Sequence, residues 1–148
     1  MNKRFIDNLE KQNYPFAEDN DSAITKFKNK IQIAAQSGGM LTYSQLVNGV
    51  TFTINEQDRV IDTLTWQNID RRVVGDLLAY ITLEWYKELE IVPTMIIVEQ
   101  KDGTPSQISQ NWLRDMEAYR GQFLDFWISE VSKTHTHFKK VLKESQGE

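Results

Sequence analysis

No cysteine occurs in the 148 residues. Disulfides and thiol chemistry are therefore excluded, and the commonest structural zinc sites lose their ligands. Histidine is nearly as scarce: His135 and His137 are the only two, and two positions apart on a helix they face different ways, so no metal site is expected. Low-complexity tracts and long linkers are lacking too. No apolar run approaches the length of a membrane span, and Met1 to Phe16, broken by charges and by Asn13 and Pro15, has no signal-peptide core. The expectation is a cytoplasmic protein with no membrane partner. Positive charge is not in excess, since the net charge is −4, which weighs against an obvious electrostatic nucleic-acid binder. The charge is uneven, however. Glu18, Asp19 and Asp21 make an acidic start, whereas Lys133 to Lys143 holds four lysines and no acid, leaving room for a local basic face.

The chain has the length of one domain, 1–148, and 40% hydrophobic residues give it a sizeable core. Its most periodic stretch is centred on residues 70–103. Val74, Leu77, Leu78, Ile81, Trp85 and Leu89 recur at spacings of three and four, predicting a helix from Asn68 or Asp70 to about Leu89. Asp76, Tyr80, Glu84 and Glu88 fall on its other face. Beyond Pro93, Thr94 to Glu99 reads as a mostly buried strand and Lys101-Asp102-Gly103 as a turn.

In chain order, Phe5, Ile6 and Leu9 suggest a short helix before Tyr14-Pro15-Phe16. A second helix, capped by Asp21 or Ser22, carries Ile24, Phe27, Ile31 and Ala34/Ala35 and ends at Gly38-Gly39. Thr42-Tyr43-Ser44-Gln45 matches a capping box opening a short helix to about Asn48. Val50 to Ile54 alternates like a half-buried strand, which the strand after Pro93 could join. Val60, Ile61, Leu64 and Trp66 fit either a helical turn or a return strand. Thr104-Pro105-Ser106-Gln107 offers a second capping box, with Ser109 as the alternative cap. Helical spacing then runs from Trp112 through Tyr119, Phe123, Trp127 and Phe138 to Leu142. Unbroken, that helix would be about 45 Å long. It must project, pair with a second copy, or break at Gly121.

Arg71 and Arg72 occupy the first turn of the central helix, where the macrodipole disfavours cations by a few tenths of a kcal/mol. Either they pair with Asp58, Asp62 or Asp70, or they serve an anion such as phosphate. The order Thr42-Tyr43-Ser44-Gln45-Leu46, Arg72-Val73-Val74-Gly75-x-Leu77-Leu78, then Pro93, an apolar strand and Asp102-Gly103 resembles the winged-helix DNA-binding domain of alkylguanine DNA alkyltransferases and alkyltransferase-like proteins over about residues 40–105. The family pattern is TYxxL, RAVGxAL and PCHRV. The resemblance implies a winged-helix-like core at 40–105, with N-terminal helices at 1–39 and a C-terminal helical segment at 106–148. It also implies that Tyr43 works at the DNA backbone, that Arg72 is an arginine finger, and that Arg71 and Gly75 belong to the same DNA-binding helix. Where the family carries cysteine, histidine and arginine this chain has Thr94, Met95 and Ile96, so alkyl transfer, which needs the thiolate, is not expected. The stretch between Tyr43 and Arg72 is longer than in the family, and Asp76 lies one turn beyond Arg72, on a face that would meet phosphates.

No other catalytic arrangement stands out. Glu84 and Glu88 read as a solvated face beside Lys87, and neither Ser44 nor Ser106 lies in a nucleophile elbow. The aromatic residues Tyr119, Phe123, Trp127 and Phe138, more than one small core readily hides, are candidate partner-binding residues. The combined expectation is an α+β, mainly helical fold with a winged-helix-like centre, a small β-sheet and flanking helices. It acts without catalysis or cofactor by binding duplex DNA, in the bacterial or mobile-element setting that the resemblance and the size suggest. The alternative is a protein-binding adaptor or inhibitor acting through its acidic surface and C-terminal helix. A homodimer through that helix is a further expected association.

Overall fold

A computed structural model describes residues 1–147. The fold is α+β and mainly helical. Helices α1 (Lys3–Lys11) and α2 (Asp21–Gln36) lead to strand β1 (Leu41–Thr42) and helix α3 (Tyr43–Val47). Strands β2 (Thr51–Ile54) and β3 (Gln57–Val60) follow, then helix α4 (Asn68–Leu89) and a 3₁₀ turn at Pro93–Ile96. Strand β4 (Ile97–Val98) and helices α5 (Gln107–Asp115) and α6 (Phe123–Gln146) complete the chain.

Helix α4 is the axis of the molecule because it is apolar on two sides. Val74, Leu77, Ile81 and Trp85 enter a core with α2, the β2–β3 hairpin and Phe138. Tyr86 enters a second core with Phe5, Ile6 and Leu9 of α1, Val92, Met95, Leu113 and Ala118. The face expected to be solvated is therefore partly covered. Tyr80 packs edge-on against Tyr14, 5.6 Å between ring centroids, and Asp76 accepts a hydrogen bond from the Phe16 amide at 2.9 Å. Glu84 pairs with Lys28 at 2.9 Å.

The strand expected at Thr94 to Glu99 is mostly not a strand. Pro93, with φ fixed and no amide donor, opens a 3₁₀ turn that takes up Thr94, Met95 and Ile96. Only Ile97 and Val98 remain extended, pairing in parallel with Leu41 and Thr42 rather than with the stretch from Val50 to Ile54. That stretch forms its own hairpin, Thr51 opposite Val60 and Ile54 opposite Gln57. Asn55 and Glu56 both take positive φ, 52° and 66°, as a two-residue hairpin turn requires. The return strand, not the helical turn, is the outcome for residues 57–60.

Caps fall partly where expected. Thr42 and Gln45 make the reciprocal capping box of α3. Lys30 Nζ closes the other end of that helix, donating to the carbonyls of Gln45, Leu46 and Asn48. The cap of α2 is Asn20, not Asp21 or Ser22, and its side chain instead grips Thr53 on both backbone atoms, tying α2 to β2. The cap of α5 is Ser106, which accepts from the Ser109 amide at 3.1 Å, in place of a box from Thr104.

The long C-terminal helix breaks. Helix α5 stops at Asp115, Glu117 (φ 61°) and Gly121 (φ 86°) reverse the chain, and α6 runs back along α2. Phe138, proposed as a partner-binding residue, is consequently buried at 4% exposure with its ring 5.6 Å from Trp85. Trp127 is half-buried and donates its indole N–H to the Met95 carbonyl. Tyr119 and Phe123 form a T-shaped pair and, with Phe126, close the second core. These four aromatics are explained by packing within the chain, because the reversal supplies the surface that a continuous helix would have lacked.

Candidate functional site

A groove of about 710 Å³ lies between the first half of α4, the start of α3, the turn after Pro93 and α5. Tyr43, Arg71, Arg72 and Gly75, drawn from motifs separated in sequence, all line it, and so does Thr94. The long stretch between Tyr43 and Arg72 is taken up largely by the β2–β3 hairpin, and the starts of α3 and α4 both line the groove.

The arginines are set by the local fold at the start of α4. Asp70, 2% exposed, receives both Arg59 Nε at 2.5 Å and Arg59 Nη2 at 2.8 Å, and also the Gln67 amide at 2.8 Å, completing a capping box. The Arg59 hydrogen bond, chiefly, and the Gln67 amide outweigh burial and hold its carboxyl below the usual carboxylate range. Asp58 accepts from Thr53, and Asp62 accepts from the Leu64 amide. Of the three acids that were expected to neutralise Arg71 and Arg72, Asp70 is paired with Arg59, and none of them forms an ion pair with either arginine among the described residues. Arg71 lies over the Trp66 ring, its guanidinium carbon 5.1 Å from the centroid, a cation–π arrangement. Arg72 is exposed and, among the described residues, neither arginine makes an ion pair.

Tyr43 is half-buried, 6.2 Å from Trp66 between ring centroids, and its hydroxyl bonds to Ser106 and Ser109, each at 3.2 Å. It braces α3 against α5, so the phosphate contact implied for it would compete with these serines. Gly75 is exposed, and a Cβ built on it meets nothing within 4 Å. No packing inside the chain calls for glycine there, and the groove floor over it is open. Asp76, one turn beyond Arg72, lines the same groove, as expected, and is half-buried. Burial raises its pKa, partly offset by the Phe16 amide. Its charge in turn adds to the burial that pushes the neighbouring Tyr14 hydroxyl up to about 12.

Deeper in the groove, Thr82 donates to the Leu78 carbonyl at 2.8 Å and lies 2.9 Å from the Thr94 hydroxyl. A hydroxyl has one proton, so Thr94 donates to Thr82 and keeps both lone pairs as acceptors. The groove therefore offers two guanidinium groups and an aromatic face at its mouth and hydroxyl acceptors within, with the carboxylates of Asp76 and Glu99 also on its lining. Sequence reasoning missed Trp66, Thr82, Ser106 and Ser109 as parts of one site. Trp66, Thr82 and the Ser106–Ser109 pair at the start of α5 lie on separate parts of the chain, with no spacing that links them. His135, half-buried, donates from Nε2 to the Gly39 carbonyl at 2.8 Å, while the His137 ring packs on Phe138. Among the described residues, no group of three or more His, Cys, Asp or Glu is placed to hold a metal, and no helix is long and apolar enough to cross a membrane. Compared with protein-family models, curated proteins and solved structures, the chain matches none.

Proposed function

We propose that this is a non-catalytic, cytoplasmic DNA-binding protein of winged-helix-like build that engages a duplex through the start of α4. The observation that carries the reading is the pair of guanidinium groups of Arg71 and Arg72 at that helix start, neither in an ion pair among the described residues, with Asp70 held by Arg59. Phosphate is the anion suited to guanidinium groups beside helix N-terminal amides. The resemblance to alkyltransferase-like proteins supports the same face, because Tyr43, Arg72 and Gly75 meet at one groove and Thr94, at the family's cysteine position, lines it too. Arg72→Ala is expected to weaken binding of a short duplex about tenfold, roughly 1.4 kcal/mol, with the circular-dichroism spectrum unchanged, because Arg72 supports no contact in the fold. Fluorescence anisotropy at low salt reads this, and equal affinity of wild type and variant counts against the site.

A second reading, a protein-binding adaptor or inhibitor, is favoured by the apolar side chains at the groove. Ile108 on its wall is 74% exposed, and Leu64, between the groove residues Thr63 and Trp66, is 91% exposed. If the wild-type protein does not bind duplex at low salt, this reading replaces the first.

A further inference from the structure

Folding α6 back on α2 buries its inner side and leaves an outer one whose pattern has a direction. Leu124 and Ile128, one turn apart, are each 56% exposed. Beside them a cleft of about 580 Å³ separates Ile128 from Met40. Ser132, Thr136 and Lys139, which line the same cleft, continue the exposed face toward the C-terminus, the Lys139 ammonium resting near Gly38 at the end of α2. Asp125 stands at one end and Lys139 at the other, and among the described residues neither forms an ion pair.

We propose that this face is a two-fold dimer surface on which α6 of a second copy lies antiparallel. Asp125 and Lys139 are each seven residues from Ser132. An antiparallel pair centred on Ser132 therefore sets Asp125 of each copy against Lys139 of the other, twice by symmetry. Ile128 then meets Thr136, and the small Ser132 sits at the crossing, where helices approach closest. Leu124 meets the aliphatic stem of Lys140. A parallel arrangement would oppose Lys139 to Lys139 and Asp125 to Asp125, which like-charge repulsion disfavours. An isologous contact of this kind covers the apolar stripe of both copies with one self-complementary surface. The surface differs from the one that the aromatic spacing suggested, since Phe138 lies in the core.

Multi-angle light scattering over a micromolar dilution series tests the proposal. The wild-type chain is expected at twice its monomer mass, and Ile128→Asp and Asp125→Lys each at monomer mass with helicity unchanged, a weakening of at least tenfold. Asp125→Lys combined with Lys139→Asp is expected to restore the dimer. Three results each overturn it: a monomeric wild type throughout, a dimer indifferent to both single variants, or a double variant that stays monomeric.

Discussion

Asp70 and Asp76 sit on one helix and respond to their surroundings in opposite directions. Arg59 and the Gln67 amide favour the charged form of Asp70, so its carboxyl titrates below its unfolded value. The stability it contributes is fully present above the unfolded pKa and is lost as pH falls through the lower, folded one. Burial disfavours the charged form of Asp76, so its folded pKa lies above the unfolded value of 3.8. Its charge opposes folding at neutral pH, and this penalty fades as pH falls through the raised pKa. Asp76→Asn, whose amide oxygen can still accept from Phe16, is expected to raise the urea midpoint at pH 7 and to approach wild type at pH 4. Asp70→Asn is expected to lower the midpoint at pH 7, by about 1–3 kcal/mol of lost charge-assisted bonding, with the gap narrowing below pH 4. Urea titrations of the two variants at both pH values check the signs.

At the scale of elements, α4 is where the sequence was most legible, and Trp85 shows why. Its place at the recurring spacing of three and four predicts burial, and it is 7% exposed against Phe138. Trp85→Ala is expected to cost about 3–5 kcal/mol, read as a shift in the denaturant midpoint. The capping box at Thr42 was equally legible, because both partners lie within four residues. What escaped was decided by distant partners. Two residues of β1 become a strand only because Ile97 and Val98 lie beside them. The hairpin turn at Asn55 and Glu56 contains no glycine, the usual signal for positive φ. Asn20 spends its side chain on Thr53 rather than on its own helix. The same holds at the groove: short motifs pointed to Tyr43, Arg72 and Gly75, which share its lining, whereas the pairing of Asp70 with Arg59 and the serines that hold Tyr43 could be identified only once the chain was folded.

For the whole molecule, the net charge of −4 means that a duplex bound as proposed would meet a repulsive overall background around the arginine face. Two phosphate contacts would give a slope of about −2 in log affinity against log salt, each contact contributing roughly −0.9. That is far shallower than for a strongly basic DNA binder. Arg72→Ala should reduce the slope by about one. Anisotropy titrations at several salt concentrations measure both, and a slope near zero with binding retained would place the affinity in non-ionic contacts instead.

The anchoring of α1 bears on how the chain is made. Asn2 caps α1 through the Phe5 amide and also donates to the carbonyl of Glu117 at 2.8 Å, while Asn8 donates to that of Met116 at the same distance. Helix α1 therefore docks on a segment that is synthesised more than a hundred residues later. Until Met116 to Ala118 emerge, Phe5, Ile6 and Leu9 have no complete surface to cover them, and Trp85 likewise waits for Phe138. During vectorial synthesis α1 therefore cannot complete its packing with the residues that immediately follow it. Both cores close only when the reversal around Gly121 has been translated, and until then the nascent chain carries exposed apolar helices of the kind that chaperones hold.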